Sequence, residues 1–256
     1  MHQPLILVTN DDGIAAPGIR ALIAVANEFG KVVVVAPDSP QSGKGHGITI
    51  SDPLRLNKVD IYGDDIEAYE CTGTPVDCVK LAVHIPLKNR KPDLCISGIN
   101  HGSNASINIL YSGTMAAAME AAMEGIPSIG FSLLDFSFDA DFRGAQAYAR
   151  KIIKFALTKP LRPGQLLNVN IPKLPEAEIK GIKVCRQAKG HYTEEFAESL
   201  DPRGQKYYWL TGVFVCNDDR TDTDIRALES GYVSVVPSLF DLTDEKGMQE
   251  IGKVLT

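Results

Sequence analysis

The sequence predicts an α/β protein of three layers, with helices on both faces of a mainly parallel sheet and a β-hairpin arm protruding from the C-terminal part. Three observations carry this. Short apolar runs of strand length alternate with helix-forming segments from Leu5 to Ile171, and that βαβ rhythm gives parallel strands joined by crossover helices. The runs Lys31–Ala36 and Leu94–Ser97 are apolar with little alternation, as strands covered on both faces require. From 186 to 224 the rhythm gives way to polar and aromatic residues around Asp201-Pro202-Arg203-Gly204, and Pro followed by Gly between strand-like segments marks a turn. Residues 1–256 therefore read as a single Rossmann-like domain and 186–224 as an arm inserted in it.

In chain order, Leu5–Thr9 reads as the first strand and Pro17–Phe29 as a helix with Pro in its first turn and Gly30 at its end. The Val run Lys31–Ala36 is the second strand, followed by a Gly/Ser/Pro-rich loop, Pro37–Gly47. Ile48–Ile50, Leu54–Ile61 and Ile66–Cys71 read as short strands, some of them antiparallel, and Pro75–His84 as a helix. Leu94–Ser97 is a buried strand leading into a second loop, Gly98–Ser112, rich in Gly and Asn. Gly113–Glu124 is an Ala/Met helix closed by Gly125, Ser128–Leu133 a strand, Ala140–Leu157 a longer helix and Leu166–Ile171 a strand. Beyond the arm, Tyr232–Val236 reads as a strand and Thr243–Leu255 as a helix returning to the core.

Composition narrows the function. A chain of 256 residues, 44% hydrophobic, can bury the core of one large domain. Its formal charge of −6 argues against a nucleic-acid polymer or an anionic membrane as partner. Five cysteines without a C-x-x-C pair fit reduced thiols in the cytoplasm. Met1 and His2 run almost directly into the first strand, and no apolar stretch is long enough to cross a bilayer. A cytoplasmic protein without leader or membrane span is expected.

Chemistry gathers where strands end. The first strand delivers Asn10, Asp11 and Asp12, with Gly13 releasing the turn. Adjacent carboxylates repel and are poorly tolerated unless solvated or bridged by a cation, although Asp-Asp-Gly is also ordinary turn chemistry. The second strand delivers Asp38 to Gly43, including Ser42, and the Leu94 strand delivers Ser97 to Gly102, including Asn100. In a parallel sheet these loops share one edge. Carboxylates, hydroxyls and an amide carbonyl are hard donors suited to Mg²⁺, Mn²⁺ or Ca²⁺ and not to zinc or copper. Ser112, Gly113 and Thr114 open the Ala-rich helix, so its free N–H groups could hold an anion; Ser112 also reads as a plain N-cap. His46 and His101 fall in the same loops, where a histidine is more often solvated than catalytic.

These residues resemble the SurE (stationary-phase survival protein) nucleotidases. The resemblance rests on Thr9-Asn-Asp-Asp-Gly-Ile14 with Ala16-Pro-Gly18, Val35-Ala-Pro-Asp38 with Ser42-Gly43, Gly73-Thr-Pro-Val-Asp-Cys78, Pro92 to Asn100, and Tyr111 to Ala118. Leu167 to Pro172, Asp201 to Gly204, Thr221 to Asp224 and Gly231 to Val235 extend it over nearly the whole chain. It implies a divalent metal held by Asp11, Asp12, Ser42 and Asn100, and hydrolysis of nucleoside 5′- and 3′-monophosphates, with polyphosphate in some members. It also implies dimers or tetramers joined through the arm. Some members carry a histidine in the segment that here reads Pro237 to Thr243, which has none, so no role passes to it.

The expected mechanism is attack on phosphorus by a metal-activated water, with Asp11 and Asp12 at the metal. Asn10, Gly43, Asn104, Ser112, Gly113 and Thr114 would bind the phosphate. Direct attack by an aspartate is the alternative; haloacid-dehalogenase phosphatases do this with Asp-X-Asp, whereas these aspartates are adjacent. A non-catalytic nucleotide-binding module would not need two carboxylates facing a phosphate, and G-x-G-x-x-G is missing after the first strand. A metal-dependent transferase could use the same site with another acceptor. The only Trp (209) lies in the arm with Tyr192, Phe196, Tyr207, Tyr208 and Phe214, and so much aromatic surface on a projecting hairpin points to an interface between identical subunits.

Overall fold

A computed structural model describes residues 3–255, apart from Asn89, Phe138 and Pro160. Met1 and His2 lie outside the described residues. The elements run β1 (Leu5–Thr9), α1 (Pro17–Ala26), β2 (Lys31–Pro37), β3 (Leu56–Val59), β4 (Glu67–Cys71), α2 (Pro75–His84), β5 (Leu94–His101), α3 (Gly113–Met123), β6 (Ser128–Leu133), α4 (Arg143–Thr158) and β7 (Gln165–Ile171). They continue with β8 (Ile182–Val184), β9 (Gly190–Leu200), β10 (Lys206–Cys216), α5 (Asp224–Glu229), β11 (Val233–Leu239) and α6 (Glu245–Leu255).

One nine-stranded sheet has the order β3-β4-β2-β1-β5-β6-β7-β11-β8. From β4 to β7 the neighbours are parallel; β3 and β11 run antiparallel to β4 and β7. Alternate strand residues feed opposite faces. Ile6 and Val8 join Ile19 and Leu22 of α1 and Ile153 of α4 in one core cluster. Leu7, Val33 and Val35 join Val79 of α2 and Ala121 of α3 in the other. The chain leaves β1 toward β2 on one side and reaches β5 on the other, so the crevice past β1 is the topological switch point where open α/β sheets bind ligands.

The structure departs from the sequence expectation at four places. Ile48–Ile50 forms no strand: Ile50 is 84% exposed, and Thr49 bonds the Asp77 carboxylate through its N–H at 3.1 Å and its hydroxyl at 2.7 Å. Asp77 in turn forms a capping box with Thr74 at the start of α2. β5 extends past Ser97 to His101 through an irregularity between Ser97 and Asn100. β8 and α5 lie in stretches too short and too polar for periodicity to reveal. Finally, α6 does not return to the core: none of its residues is buried, although Met248, Ile251 and Leu255 keep the helical spacing.

β9 and β10 form a separate two-stranded antiparallel sheet, paired from Gly190↔Cys216 out to Leu200↔Lys206. Its turn closes with Asp201 N–H to the Gln205 carbonyl at 2.9 Å. At the base, Tyr192 packs edge-on against Phe214 with centroids 5.6 Å apart. Toward the tip Phe196, Tyr207, Tyr208 and Trp209 are exposed. Asp224, fully buried, accepts the N–H groups of Ser106 at 2.8 Å and Ala188 at 3.0 Å. That carboxylate ties the arm's root to the loop beside the switch point.

Candidate active site

Asp11 follows β1 directly and is 4% exposed. Its Oδ1 accepts the Thr114 hydroxyl, and backbone N–H groups of Gly113 and Thr114 also face it. The positive end of α3 is therefore aimed at a carboxylate. Gly113 must be glycine for this approach, because a Cβ there would lie 2.7 Å from Asp11 Cβ. Ser112 is the N-cap, its hydroxyl accepting Met115 N–H at 3.1 Å. Burial pushes the Asp11 carboxyl above its ordinary value, and the Thr114 and Gly113 bonds oppose that rise.

Asp12 accepts His101 N–H at 3.3 Å. Burial first, and the neighbouring charge of Asp11 second, push its carboxyl up to about 6. Asn10 donates through Nδ2 to the Gly13 carbonyl at 2.9 Å, leaving its Oδ1 buried without a partner among the described residues. The hydroxyls of Thr9 and Ser97, register partners on β1 and β5, are buried and unpartnered in the same way.

Ser42 and Gly43 sit on the loop after β2, which is pinned by Gln41 N–H to the Asp11 carbonyl at 2.8 Å and Gly45 N–H to the Tyr111 carbonyl at 3.2 Å. Gly43 has φ +73° and open space around it. Asn100 is brought to the same cleft by the irregularity in β5. This arrangement needs Gly18 on α1, where a Cβ would fall 2.0 Å from the Ile99 carbonyl oxygen. Asn100 Nδ2 donates to the Gly102 carbonyl at 2.9 Å, which leaves its Oδ1 as the oxygen available to a ligand.

A cleft of about 770 Å³ brings together Asp11, Ser42, Gly43, Asn100, Asn104 and Ser112. Asn10, Asp12, Gly113 and Thr114 do not line it. Asn104 is fixed by Nδ2 to Ser132 Oγ at 2.8 Å, by its N–H to Asn170 Oδ1 at 2.8 Å and by Asn168 Nδ2 to its carbonyl at 2.7 Å. The sequence reading missed this lattice, although Asn168 and Asn170 stand two apart in an otherwise apolar strand and so share a face. It also missed the wall made by Tyr111, Phe136, Tyr192 and Leu210–Gly212. His101 lines the cleft and interacts electrostatically with Asp12; its ring packs edge-on to Phe142 at 5.1 Å and bonds the Ser137 carbonyl at 3.1 Å, while His46 bonds Glu120 at 2.9 Å.

The donor set fits a hard divalent cation. It offers oxygens of Asp11, Ser42 and Asn100 at one cleft, and beside Asp11 in the chain, outside that lining, the Asp12 carboxylate, whose ionisation burial and the Asp11 charge oppose. Among the described residues no group of three or more His, Cys, Asp or Glu side chains is placed to hold a metal ion, so the candidate donors here are two carboxylates completed by neutral oxygens.

Comparison with known proteins places the chain in a family. The family described as Survival protein SurE matches residues 6–194. The protein named 5′-nucleotidase SurE from Flavobacterium johnsoniae is 62% identical over 251 residues, covering 98% of this chain and 96% of its own. The one from Cytophaga hutchinsonii is 55% identical over 253 residues, covering 99% and 97%. The crystal structure of the SurE protein from Aquifex aeolicus superposes with a TM-score of 0.85 at 42% identity, covering 99% of this chain and 100% of that one. A family match over most of the chain, relatives of this identity and the same fold end to end leave one conclusion: the chain belongs to the SurE family.

Proposed function

We propose that the chain is a metal-dependent phosphomonoesterase that hydrolyses nucleoside 5′-monophosphates, and 3′-monophosphates as well, to nucleoside and phosphate. Its relatives' names make it a hydrolase of the 5′-nucleotidase class. One observation supports the metal requirement: the cleft holds Asp11 but no Lys or Arg among its described lining residues. A phosphate dianion cannot approach a carboxylate there without a cation between them.

Asp11, Asp12, Ser42 and Asn100 would hold one Mg²⁺ or Mn²⁺, with Ca²⁺ able to occupy the same oxygens. When bound, the ion neutralises charge and lowers the pKa of a water ligand. Thr114 and the start of α3 keep Asp11 oriented, and Asp12 would hold the ion as a carboxylate. Asn104, Ser112 and the Gly43 backbone would orient the phosphoryl oxygens at the cleft, with Asn10 supporting the aspartates from beneath. Gly113 and Thr114 act on the phosphate only through Asp11.

No helix among the described residues is long and apolar enough to cross a membrane, and we place the protein in the cytoplasm, where five free thiols remain reduced. We further propose that it works as a homodimer or homotetramer joined through the 186–224 arm of an otherwise single domain. The test of function is phosphate release from AMP and its counterparts with Mg²⁺, Mn²⁺ or chelator. Turnover that persists in chelator would overturn the metal reading, and turnover of simple phosphodiesters at a comparable rate would overturn the monoesterase reading.

A further inference from the structure

Glu120 is an ionisable group that the chemistry above leaves unused. It lies midway along the Ala-rich α3 and is only 2% exposed. A buried carboxylate is costly unless paired and hydrogen-bonded. Its two partners come from different parts of the chain: Lys80 Nζ of α2 lies 2.5 Å from Oε1, and His46 Nε2 lies 2.9 Å from Oε2. The lysine alone would supply the countercharge. The histidine belongs to no helix; it is the far end of the loop that carries Ser42 and Gly43.

That loop has few other ties, the firmest beyond His46 being the Thr74 hydroxyl donating to the Gly47 carbonyl at 2.8 Å. Gln41 N–H holds its near end to the Asp11 carbonyl at 2.8 Å. Between there and His46 the chain has a turn bond of 3.3 Å from Lys44 N–H to the Gln41 carbonyl and the 3.2 Å bond from Gly45 N–H to Tyr111. Nothing lies within 4 Å of a Cβ built on Gly43. Ser42 is thus located by how the two ends of the loop are tied. The same helix serves both: Gly113 and Thr114 at the start of α3 hold Asp11, and Glu120, about two turns further on, holds His46.

We propose that Glu120 is a positioning residue of the site, which through His46 fixes the Ser42–Gly43 loop relative to Asp11. The proposal rests on the reading above in which Ser42 is a metal ligand. Residues that orient metal ligands from behind change affinity by about 10- to 100-fold when removed. His46→Ala should therefore weaken Mn²⁺ binding about tenfold and raise KM for AMP. With metal and substrate both saturating, kcat should stay within about threefold. His46→Gln, whose amide can still donate to Glu120, should recover most of the affinity. Lys80→Met should lower Tm, since it strips the buried carboxylate of its countercharge, yet leave Mn²⁺ affinity within about twofold.

Mn²⁺ binding to the full-length protein, titrated by electron paramagnetic resonance, reads the first effect. Amide hydrogen exchange over Ser42–Gly45 in chelator reads the loop without any metal, and should be faster in His46→Ala and Glu120→Ala than in the wild type. Unchanged exchange in both variants overturns the proposal. Wild-type Mn²⁺ affinity in His46→Ala also overturns it. If the wild type itself binds no Mn²⁺, the metal reading fails, and the exchange measurement still decides whether Glu120 holds the loop.

Discussion

Asp11 and Thr114 meet across 103 positions of sequence: the threonine hydroxyl at the start of α3 donates to the carboxylate at the end of β1. Gly113, which leaves room for that carboxylate, and the N–H groups beside it complete the contact. A helix N-terminus thereby holds in place the carboxylate proposed above as a metal ligand. The acid must stay ionised in a buried setting to accept a cation, and the hydroxyl, the N–H groups and the helix end all favour its charged form.

Thr114→Val should expose the value of this contact. The substitution keeps the β-branched shape and removes the donor, so the buried carboxylate loses the strongest contact holding its pKa down. Loss of a hydrogen bond to a charged group costs about 1.5–3 kcal/mol. Metal affinity at pH 7 should drop by at least about tenfold with the fold intact by circular dichroism. Unchanged Mn²⁺ affinity would show that the bond has no bearing on the site.

Asp12→Asn removes a charged hard donor at constant size. Loss of one such ligand should cost about a hundredfold or more in turnover, while the melting curve remains cooperative. Wild-type turnover by this variant in the same metal buffer would remove Asp12 from the site.

Stability of the metal-free protein should depend on pH through the same carboxyl. Asp12 titrates near 6 in the fold and near 3.9 when unfolded. The folded chain therefore holds more protons between those values, and stability from this group is fully present below about 4 and lost as pH rises through about 6. Burial raises Asp11 as well, in the same direction. In chelator the wild type should melt higher at pH 5.5 than at pH 7.5, and Asp12→Asn should show a smaller difference. Mn²⁺ at pH 7.5 should restore the loss by binding the native state. Equal pH slopes for the two proteins would count against a raised Asp12.

Much of this site is legible in the sequence because strand ends and loops carry local signals. α2 and β6 occupy the same residues that periodicity and capping predict, and Asp11, Ser42 and Asn100 meet at one edge because the sheet is parallel. What escapes is set by tertiary partners. Ser112–Thr114 reads as an anion site, and only the packed structure shows Thr114 turned toward Asp11. His46 reads as a loop histidine, and its partner Glu120 is 74 residues away. The heptad-like apolar residues of α6 predict a helix correctly but cannot say that no face of the sheet receives it. Asp224 is similar: its motif was visible, yet its grip on Ser106 and Ala188 depends on where the arm's root comes to lie.

The arm gives the last prediction. Its outer half carries Phe196, Leu200, Tyr208 and Leu210 on one face of the ribbon and Tyr207 and Trp209 on the other, all exposed in the single chain, and exposed apolar surface of this kind marks an interface. Phe196 and Leu210 are register partners, so the segment between and including them can be replaced by Asn-Gly, the preferred two-residue hairpin turn. The Glu195↔Thr211 pair then closes a shortened hairpin, and the bonds of Asp224 at the root are untouched. The variant should fold and elute as a smaller species by light scattering, down to the monomer if the arm is the sole contact. Retention of the full-length oligomer's mass would assign subunit contact to another surface.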